Sequence, residues 1–145
     1  MKMTYLIGLF VVIALAAWIL GGIAKKPAVK ELTVGKANFR VEVADTPMAR
    51  VRGLSGRPSL AKSEGLLFIF PFASVQTFWM KGMNFPIDII WIRNNRVVGW
   101  AENALPETDD DYSLYTSPEA VDVVLEINAG QVSEFGINIG DLVNF

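Results

Sequence analysis

Apolar and polar residues alternate along much of this chain, which is the pattern of half-buried β-strands. Residues 39–43, "FRVEV", alternate strictly, and residues 32–34 are placed to form their hairpin partner. Residues 120–127, "AVDVVLEI", predict a strand with one buried face, in which Asp122 and Glu126 point outward. The pattern therefore favours a sheet built from short strands.

The stretch from 86 to 100, "PIDIIWIRNNRVVGW", places apolar residues at both alternating sets of positions. A strand with two apolar faces is expected in the interior of a layered structure. Asn94 and Asn95 tolerate the positive φ of a tight turn, so we expect residues 87–93 to pair with residues 96–100 as a hairpin. Residues 65–70 and 74–80 predict two more strands.

Helical signals are few and short. Thr46 is placed to cap a helix that begins at Pro47 and ends at Gly53, which allows one or two turns. A second brief helical turn is expected after Pro58, ending near Gly65. Many strands and little helix predict a mainly β fold, as a compact β-sandwich or barrel-like domain with one or two short helices. An N-terminal hydrophobic helix is expected to precede this domain.

That helix is predicted from residues 5–24, which carry no charge. At ~1.5 Å per residue a helix of that length spans ~30 Å, the thickness of the bilayer hydrocarbon. We expect a single-pass membrane anchor in residues 1–24, with a signal peptide cleaved after Ala24 as the alternative. A linker over residues 25–31 and a β-rich domain over residues 32–145 complete the predicted organisation.

The side of the membrane is predicted by two signals that disagree. The lysines that follow the apolar segment outnumber the positive charges before it, which favours a domain inside the cell. The signal-like layout of the N-terminus favours the opposite side. We expect an extracytoplasmic domain on the cell membrane, or a secreted or periplasmic one if the segment is cleaved.

Composition excludes several kinds of chemistry. The 145 residues include no histidine and no cysteine, which rules out His-based triads, thiol nucleophiles, zinc-thiolate sites and disulfides. The chain up to Arg96 holds 13 Lys and Arg against five Asp and Glu, and the remainder holds ten Asp and Glu with no Lys or Arg. When two oppositely charged halves of one domain lie together, their charges neutralise each other. We therefore expect no nucleic-acid partner.

Several motifs occur in an order that resembles one known family. They are "RVRGLSGRPSL" at 50–60, "EGLLFIF" at 64–70, "FWMKGMNFPIDIIWI" at 78–92, "VLEINAG" at 124–130 and "GINIGDLV" at 136–143. This succession is similar to the domain-of-unknown-function 192 (DUF192, UPF0127) family of small bacterial and archaeal proteins. The resemblance implies a compact β-rich domain, often behind a signal or anchor segment, and it transfers no catalytic residue. Many members have Asn-Thr where this chain has Gly82-Met83.

Asp88 is the main candidate for a catalytic group, because a carboxylate among isoleucines is expected to be desolvated. It could act as a general acid or base together with Glu126 or Glu64. The structural alternative is a carboxylate that accepts hydrogen bonds from the amides of the turn at 81–84, or that pairs with a nearby cation, Arg50, Arg52 or Lys81.

Trp79 and Lys81 are candidate ligand-binding residues in the same stretch. An exposed Trp79 would indicate a surface on which a sugar or a peptide stacks, and a buried one would not. Together with Met80 and Met83, Trp79 could also form a soft copper(I) site, but methionines at this spacing more often fill a core.

Charged clusters supply the remaining candidates. Arg50, Arg52 and Arg57 lie in a glycine-containing segment that could bind an anion or a lipid headgroup, or could simply be solvated or paired. Asp109, Asp110 and Asp111 could chelate Ca²⁺, although the order of an EF-hand loop is missing. No cofactor is predicted beyond this calcium possibility.

These observations favour a non-enzymatic binding module of the cell envelope, whose partner is an envelope protein or a glycan. A small hydrolase that uses Asp88 with Glu126 or Glu64 is the catalytic alternative. A passive structural domain, with a continuous polar surface and no pocket, is the third possibility.

Overall fold

A computed structural model describes residues 27–108 and 112–145 of the chain. The strands are β1 (Val29–Val34), β2 (Ala37–Ala44), β3 (Glu64–Ser74), β4 (Thr77–Trp79), β5 (Ile87–Arg93), β6 (Arg96–Ala104), β7 (Leu114–Thr116), β8 (Val121–Asn128) and β9 (Val143–Asn144). Two short helices, α1 (Pro47–Arg52) and α2 (Gln131–Phe135), follow β2 and β8.

Seven strands form one curled sheet in the order β6-β5-β8-β3-β2-β1-β9, and β4 and β7 form a separate pair. The neighbours β2 and β3 run parallel, whereas the other neighbours are antiparallel. The two edges approach each other at one end, where Arg96 bridges to Leu142 and the Val97 amide donates to the Asp141 carbonyl at 3.0 Å. The fold is thus mainly β, a curled half-barrel with two short helices.

The sheet buries both of its faces. All seven strands contribute side chains to one cluster, here called the inner cluster, which includes Phe39, Leu67 and Ile90. The opposite face carries the outer cluster, in which Phe68 and Trp91 pack beneath α1 and the β4–β7 pair. Since the two faces are separated by the strand alternation, a shift of one residue along a strand exchanges the clusters.

Several local predictions are confirmed. The Thr46 hydroxyl accepts from the Ala49 amide at 3.2 Å, Pro47 opens α1, and Gly53 ends it at φ 52°. Asn94 and Asn95 have φ values of 48° and 56°, as the predicted turn between β5 and β6 requires. β5 is buried on both faces, as its two apolar residue sets predict.

Two local predictions are wrong. The segment after Pro58 forms turns and bends, and the second helix is instead α2, beyond β8. β8 is buried on both faces, so Glu126 points into the protein and is only 5% exposed. Val123, Val124 and Leu125 are three consecutive apolar residues, and such a run indicates burial on both sides of a strand.

The N-terminal predictions fall mostly outside the described residues. The proposed membrane segment at 5–24 lies there entirely, and β1 begins at Val29, within the interval predicted as a linker. Within residues 27–108 and 112–145, neither helix has the length and apolar character needed to span a bilayer.

Candidate functional site

A cavity of about 190 Å³ opens on the outer face of the sheet, and we call it the outer cleft. Its walls come from α1 with the loop that follows it, from β3, from β4 and from the turn beyond β4. The apolar side chains that line it are Val51, Leu54, Phe68, Phe70, Phe78, Trp79 and Met83. Glu126 reaches it from β8, and Arg50 and Arg52 line it from α1. The cleft therefore combines apolar walls with one carboxyl group and two guanidinium groups.

Hydrogen bonds between two loops fix one wall of the outer cleft. The Ser55 hydroxyl donates to the Lys81 carbonyl at 2.8 Å, and the Gly56 amide donates to the Gly82 carbonyl at 2.8 Å. Gly82 has φ 70°, a conformation that favours glycine, so this position suits the residue that the chain carries. The loop after α1 and the turn after β4 are thereby held together.

The aromatic side chains form a connected set beneath the opening. Phe78 packs edge-on against Phe68 at 4.9 Å between ring centroids and against Trp91 at 5.6 Å. Trp79 alternates with Phe78 along β4, so its ring faces outward and is 56% exposed at the rim of the outer cleft. An indole held on a packed strand offers a flat apolar surface beside the opening.

Glu126 is the least expected residue of the site. It lies in the interior of β8, opposite Leu66 on one neighbouring strand and Ile89 on the other. Its Oε2 atom is buried and has no hydrogen-bond partner in the described parts of the chain. Burial raises the pKa of Glu126 from 4.5 to about 8, and the positive charge of Arg57 opposes that shift. The carboxyl group is thus predominantly protonated at neutral pH.

β3 and β8 approach each other closely at Gly65, one register position from Glu126. A Cβ atom at Gly65 would lie 2.8 Å from the Glu126 carbonyl oxygen, which is closer than real contacts allow. Glycine at this position lets β3 and β8 pair tightly beneath the outer cleft.

The three candidate arginines have different environments. Arg57 binds Glu42 through two hydrogen bonds of 2.7 Å, and this contact lowers the pKa of Glu42. Arg50 donates to the carbonyls of Asp45 and Ile69 at 2.7 and 2.9 Å. Arg52 lies at the cleft rim and has no ion-pair partner among the described residues. Arg50 and Arg52 thus both line the outer cleft without an ion-pair partner among the described residues, and the two carbonyls hold one nitrogen of Arg50.

Asp88 is completely buried and accepts three backbone hydrogen bonds. Its Oδ1 atom accepts from the amides of Asn103 at 2.8 Å and Gly130 at 3.0 Å, and its Oδ2 atom accepts from the Val132 amide at 2.9 Å. The carboxylate therefore ties a bulge between β5 and β6 to the start of α2. The structure thus supports the backbone-amide alternative, with these partners in place of the turn at 81–84 or a cation.

The predicted carboxylate pairs are not brought together. Asp88 pairs with Ile127 across the two strands and lies on the face of the inner cluster. Glu126 pairs with Ile89 and lies on the face of the outer cluster. Glu64 shares the outer side with Glu126 but lines a separate groove with Arg40 and Leu60. Neither the outer cleft nor the groove at Glu64 is lined by two of these three carboxylates.

The remaining candidates divide between surface and core. Lys81 is exposed, and its carbonyl is used by Ser55. Met80 is buried in the outer cluster, while Met83 lines the outer cleft. Asp109, Asp110 and Asp111 lie outside the described residues. Within residues 27–108 and 112–145, no group of three or more acidic side chains is placed to hold a metal ion.

The fold and the site together define a class: a mainly β half-barrel with a small aromatic-lined cleft on the outer face of its sheet. Residues 30–145 match the sequence profile of the DUF192 family, described as "Uncharacterized ACR, COG1430". The chain belongs to this family, as the order of its motifs predicts.

Individual relatives agree with this assignment. The chain is 31% identical over 122 residues to UPF0127 protein TK1120 of Thermococcus kodakarensis, covering 78% of this chain and 69% of that protein. The crystal structure of a protein of unknown function from Novosphingobium aromaticivorans is similar, with TM-score 0.77, 32% identity, and coverage of 85% of this chain and 89% of the other. A "putative transcription regulator" from Sinorhizobium meliloti superposes with TM-score 0.76 and 30% identity, over 82% and 95% of the two chains.

Proposed function

We propose that this chain is a non-enzymatic binding module and that its outer cleft holds one ring-shaped unit of a cell-envelope glycan. The observation that carries the proposal is the position of Trp79, whose exposed indole stands beside a ring-sized cavity. Sugar rings present flat faces of C–H groups that pack against such an indole, while the rest of the chain of sugars stays in water.

The size of the outer cleft limits what can enter it. A buried cavity of about 150 Å³ in another protein accommodates benzene. At about 190 Å³ the outer cleft fits one six-membered ring or an equivalent group. A longer polymer would therefore contribute a single unit, with its neighbours lying across the rim.

The rim also offers polar groups suited to hydroxyls. Arg52, Gln76 and Thr77 line the outer cleft next to the aromatic side chains. A few polar groups around an apolar surface are typical of small-ligand sites, because the polar groups fix orientation. An apolar peptide side chain would use the aromatic walls but leave these polar groups without partners, so the glycan is favoured.

The two alternative functions receive less support. A hydrolase that uses Asp88 with Glu126 would need both carboxyls on one side of the sheet, and they lie on opposite sides. Asp88 is also fully engaged by three amides. A passive structural domain predicts a continuous polar surface, whereas this surface has a cleft with an exposed tryptophan at its rim.

Placement at the cell envelope rests on sequence. The uncharged segment at 5–24 is long enough to anchor the chain in a membrane. An anchored domain on the outer side would meet envelope glycans at high local concentration, so a weak site for one unit would suffice there.

The experiment is a titration of the full-length chain with glucose, N-acetylglucosamine and a short apolar peptide, in which the heat of binding is measured by calorimetry. Trp79→Ala should abolish the sugar-dependent heat. Phe72→Ala is the matched control, because Phe72 is 81% exposed and does not line the outer cleft. Saturation by a sugar that survives Phe72→Ala but not Trp79→Ala supports the proposal. Binding of the peptide alone, or of no probe at all, overturns it.

A further inference from the structure

The buried carboxyl group of Glu126 gives the outer cleft a chemical preference beyond the stacking of a ring. Its side chain is 5% exposed, and its Oε2 atom finds no hydrogen-bond partner among the described residues. A buried polar atom without a partner is costly, and natural proteins rarely keep one. Glu126 also lines the outer cleft, so a ligand group that enters the cleft comes next to this carboxyl group.

The charged groups near Glu126 determine whether a ligand meets a protonated or an ionised carboxyl group. No ion pair joins Glu126 to a cation in the described structure, because Arg57 is held by Glu42 through two hydrogen bonds of 2.7 Å. Phe68 and Leu66 lie beside it, while Arg50 and Arg52 line the same cleft without forming an ion pair with it. A carboxyl group without a counter-charge in such a place keeps its proton.

A protonated carboxyl group offers one O–H donor and one carbonyl acceptor. An acylamino group matches the donor, since its carbonyl oxygen accepts from the carboxyl O–H. The methyl of a small acyl group adds apolar surface that suits Phe78 and Met83. A bare hydroxyl could also bond to the carboxyl, but it would leave the apolar walls uncovered.

We propose that the ring-shaped unit carries an N-acyl group, which enters the outer cleft and bonds to Glu126 while the ring stacks on Trp79. This inference rests on the proposed glycan-binding function and names the class of sugar. A free amino sugar is disfavoured, because its ammonium would meet a neutral carboxyl and the guanidinium groups of Arg50 and Arg52 at the rim.

The pH dependence of binding follows from the same group. Burial raises the pKa of Glu126 to about 8, against the opposing charge of Arg57. The O–H donor is present below that pH and lost above it. Arg50 and Arg52 carry positive charge in the same cleft, whereas Glu64 and Glu42 line other grooves, and the pKa of Glu42 is lowered by Arg57. Binding of an N-acyl sugar should therefore weaken above pH 8.

The test compares the dissociation constants of N-acetylglucosamine, glucosamine and glucose for the full-length chain at pH 6 and pH 9.5. N-acetylglucosamine should bind about tenfold more tightly than glucose at pH 6, the ratio that corresponds to ~1.4 kcal/mol for one hydrogen bond in a desolvated site. The ratio of its affinity to that of glucose should fall severalfold at pH 9.5.

Two variants separate the polar role of Glu126 from a structural one. In Glu126→Gln the side chain cannot ionise. The dissociation constant of N-acetylglucosamine should therefore be nearly the same at pH 6 and at pH 9.5. In Glu126→Leu the preference for the N-acyl sugar should disappear. Glu119→Gln is the matched control, since Glu119 is an exposed carboxylate outside the cleft, and it should retain the wild-type pH profile.

Each outcome decides between the two proposals. Equal binding of glucose and N-acetylglucosamine to the wild type overturns the N-acyl preference and leaves the glycan-binding function standing. Tighter binding of glucosamine overturns the preference in favour of a cation site. If none of the three sugars binds at either pH, both proposals fail. If either variant does not fold, the wild-type ratios still decide the question.

Discussion

Asp88 and Glu126 lie on the adjacent strands β5 and β8, one residue apart in register and on opposite sides of the same sheet. Both are buried carboxyl groups, at 0% and 5% exposure. Asp88 accepts three backbone hydrogen bonds, whereas the Oε2 atom of Glu126 has no partner among the described residues. Two buried carboxyl groups on neighbouring strands thus have different environments: one accepts three backbone amides, and the other lines the outer cleft.

Asp88→Asn should destabilise the fold. The amide NH₂ replaces one oxygen that accepts backbone N–H groups, so at least one buried amide loses its partner and faces another donor. The expected loss in free energy of unfolding is about 2–4 kcal/mol, measured by urea denaturation. Asp122→Asn on β8, where the side chain is half-buried, should cost less than ~1 kcal/mol. Equal losses in the two variants would refute the structural role of Asp88.

Glu126 should make the protein less stable as the pH rises from 4.5 to about 8. The folded-state pKa is raised, so between these values the folded protein binds a proton that the unfolded chain has lost. The contribution to stability is complete below pH 4.5 and declines through the window by at most ~1.4 kcal/mol per pH unit.

Thermal unfolding from pH 5 to 9 measures this slope. Glu126→Gln should flatten it, because the amide does not titrate, and Glu119→Gln at an exposed site should not. A wild-type midpoint that rises steadily from pH 5 to 8, unchanged by Glu126→Gln, would show that Glu126 is ionised in the folded state.

Glu42 should change the stability of the fold with pH in the opposite direction to Glu126. Its hydrogen bonds to Arg57 lower its pKa, so its contribution is present above the unfolded-state value and is lost as the pH falls through the folded-state value. Glu42→Gln should lower the free energy of unfolding by about 1 kcal/mol at pH 7, since the Arg57–Glu42 ion pair is bidentate but only partly buried. The difference between variant and wild type should vanish in acid. Glu31→Gln, an exposed carboxylate on β1, serves as the control and should leave stability unchanged.

Thr46→Ala should remove the hydroxyl that accepts from the Ala49 amide at the start of α1. The expected cost is ~1 kcal/mol in chemical denaturation. Thr33→Ala, at a half-buried position of β1, removes a hydroxyl that donates to the Asn38 side chain but caps no helix, and it should cost less. Since α1 lines the outer cleft, sugar affinity should fall together with stability in Thr46→Ala. An unchanged sugar affinity would show that the N-terminal end of α1 does not contribute to the binding site.

The sequence was most informative where one local rule dominates. Thr46, Pro47 and Gly53 predict α1 because a cap, a fixed φ and a permissive terminator act within eight neighbouring positions. Asn94 and Asn95 predict a turn because few other residues tolerate two successive positive φ values. These features require no knowledge of distant parts of the chain.

Features that depend on distant contacts were harder to predict. Glu126 alternates with Leu125 and Ile127 as an outward residue would, and only the packing of α1 and β4 over that face buries it. The amide partners of Asp88 come from residues up to 44 positions away in the chain. The outer cleft joins α1, β3, β4 and β8, so its existence is a tertiary property. Trp79 was recognised as a candidate, but its exposure required the structure.

The most direct test of the account is an NMR titration of the full-length chain with N-acetylglucosamine, in which the indole N–H signals of the tryptophans are followed. Trp79 lies at the rim of the outer cleft, whereas Trp91 is buried in the outer cluster. The account predicts a saturable shift of the Trp79 signal that is larger than any shift of Trp91 or Trp100. A Trp79 signal that stays in place at saturating sugar would contradict it.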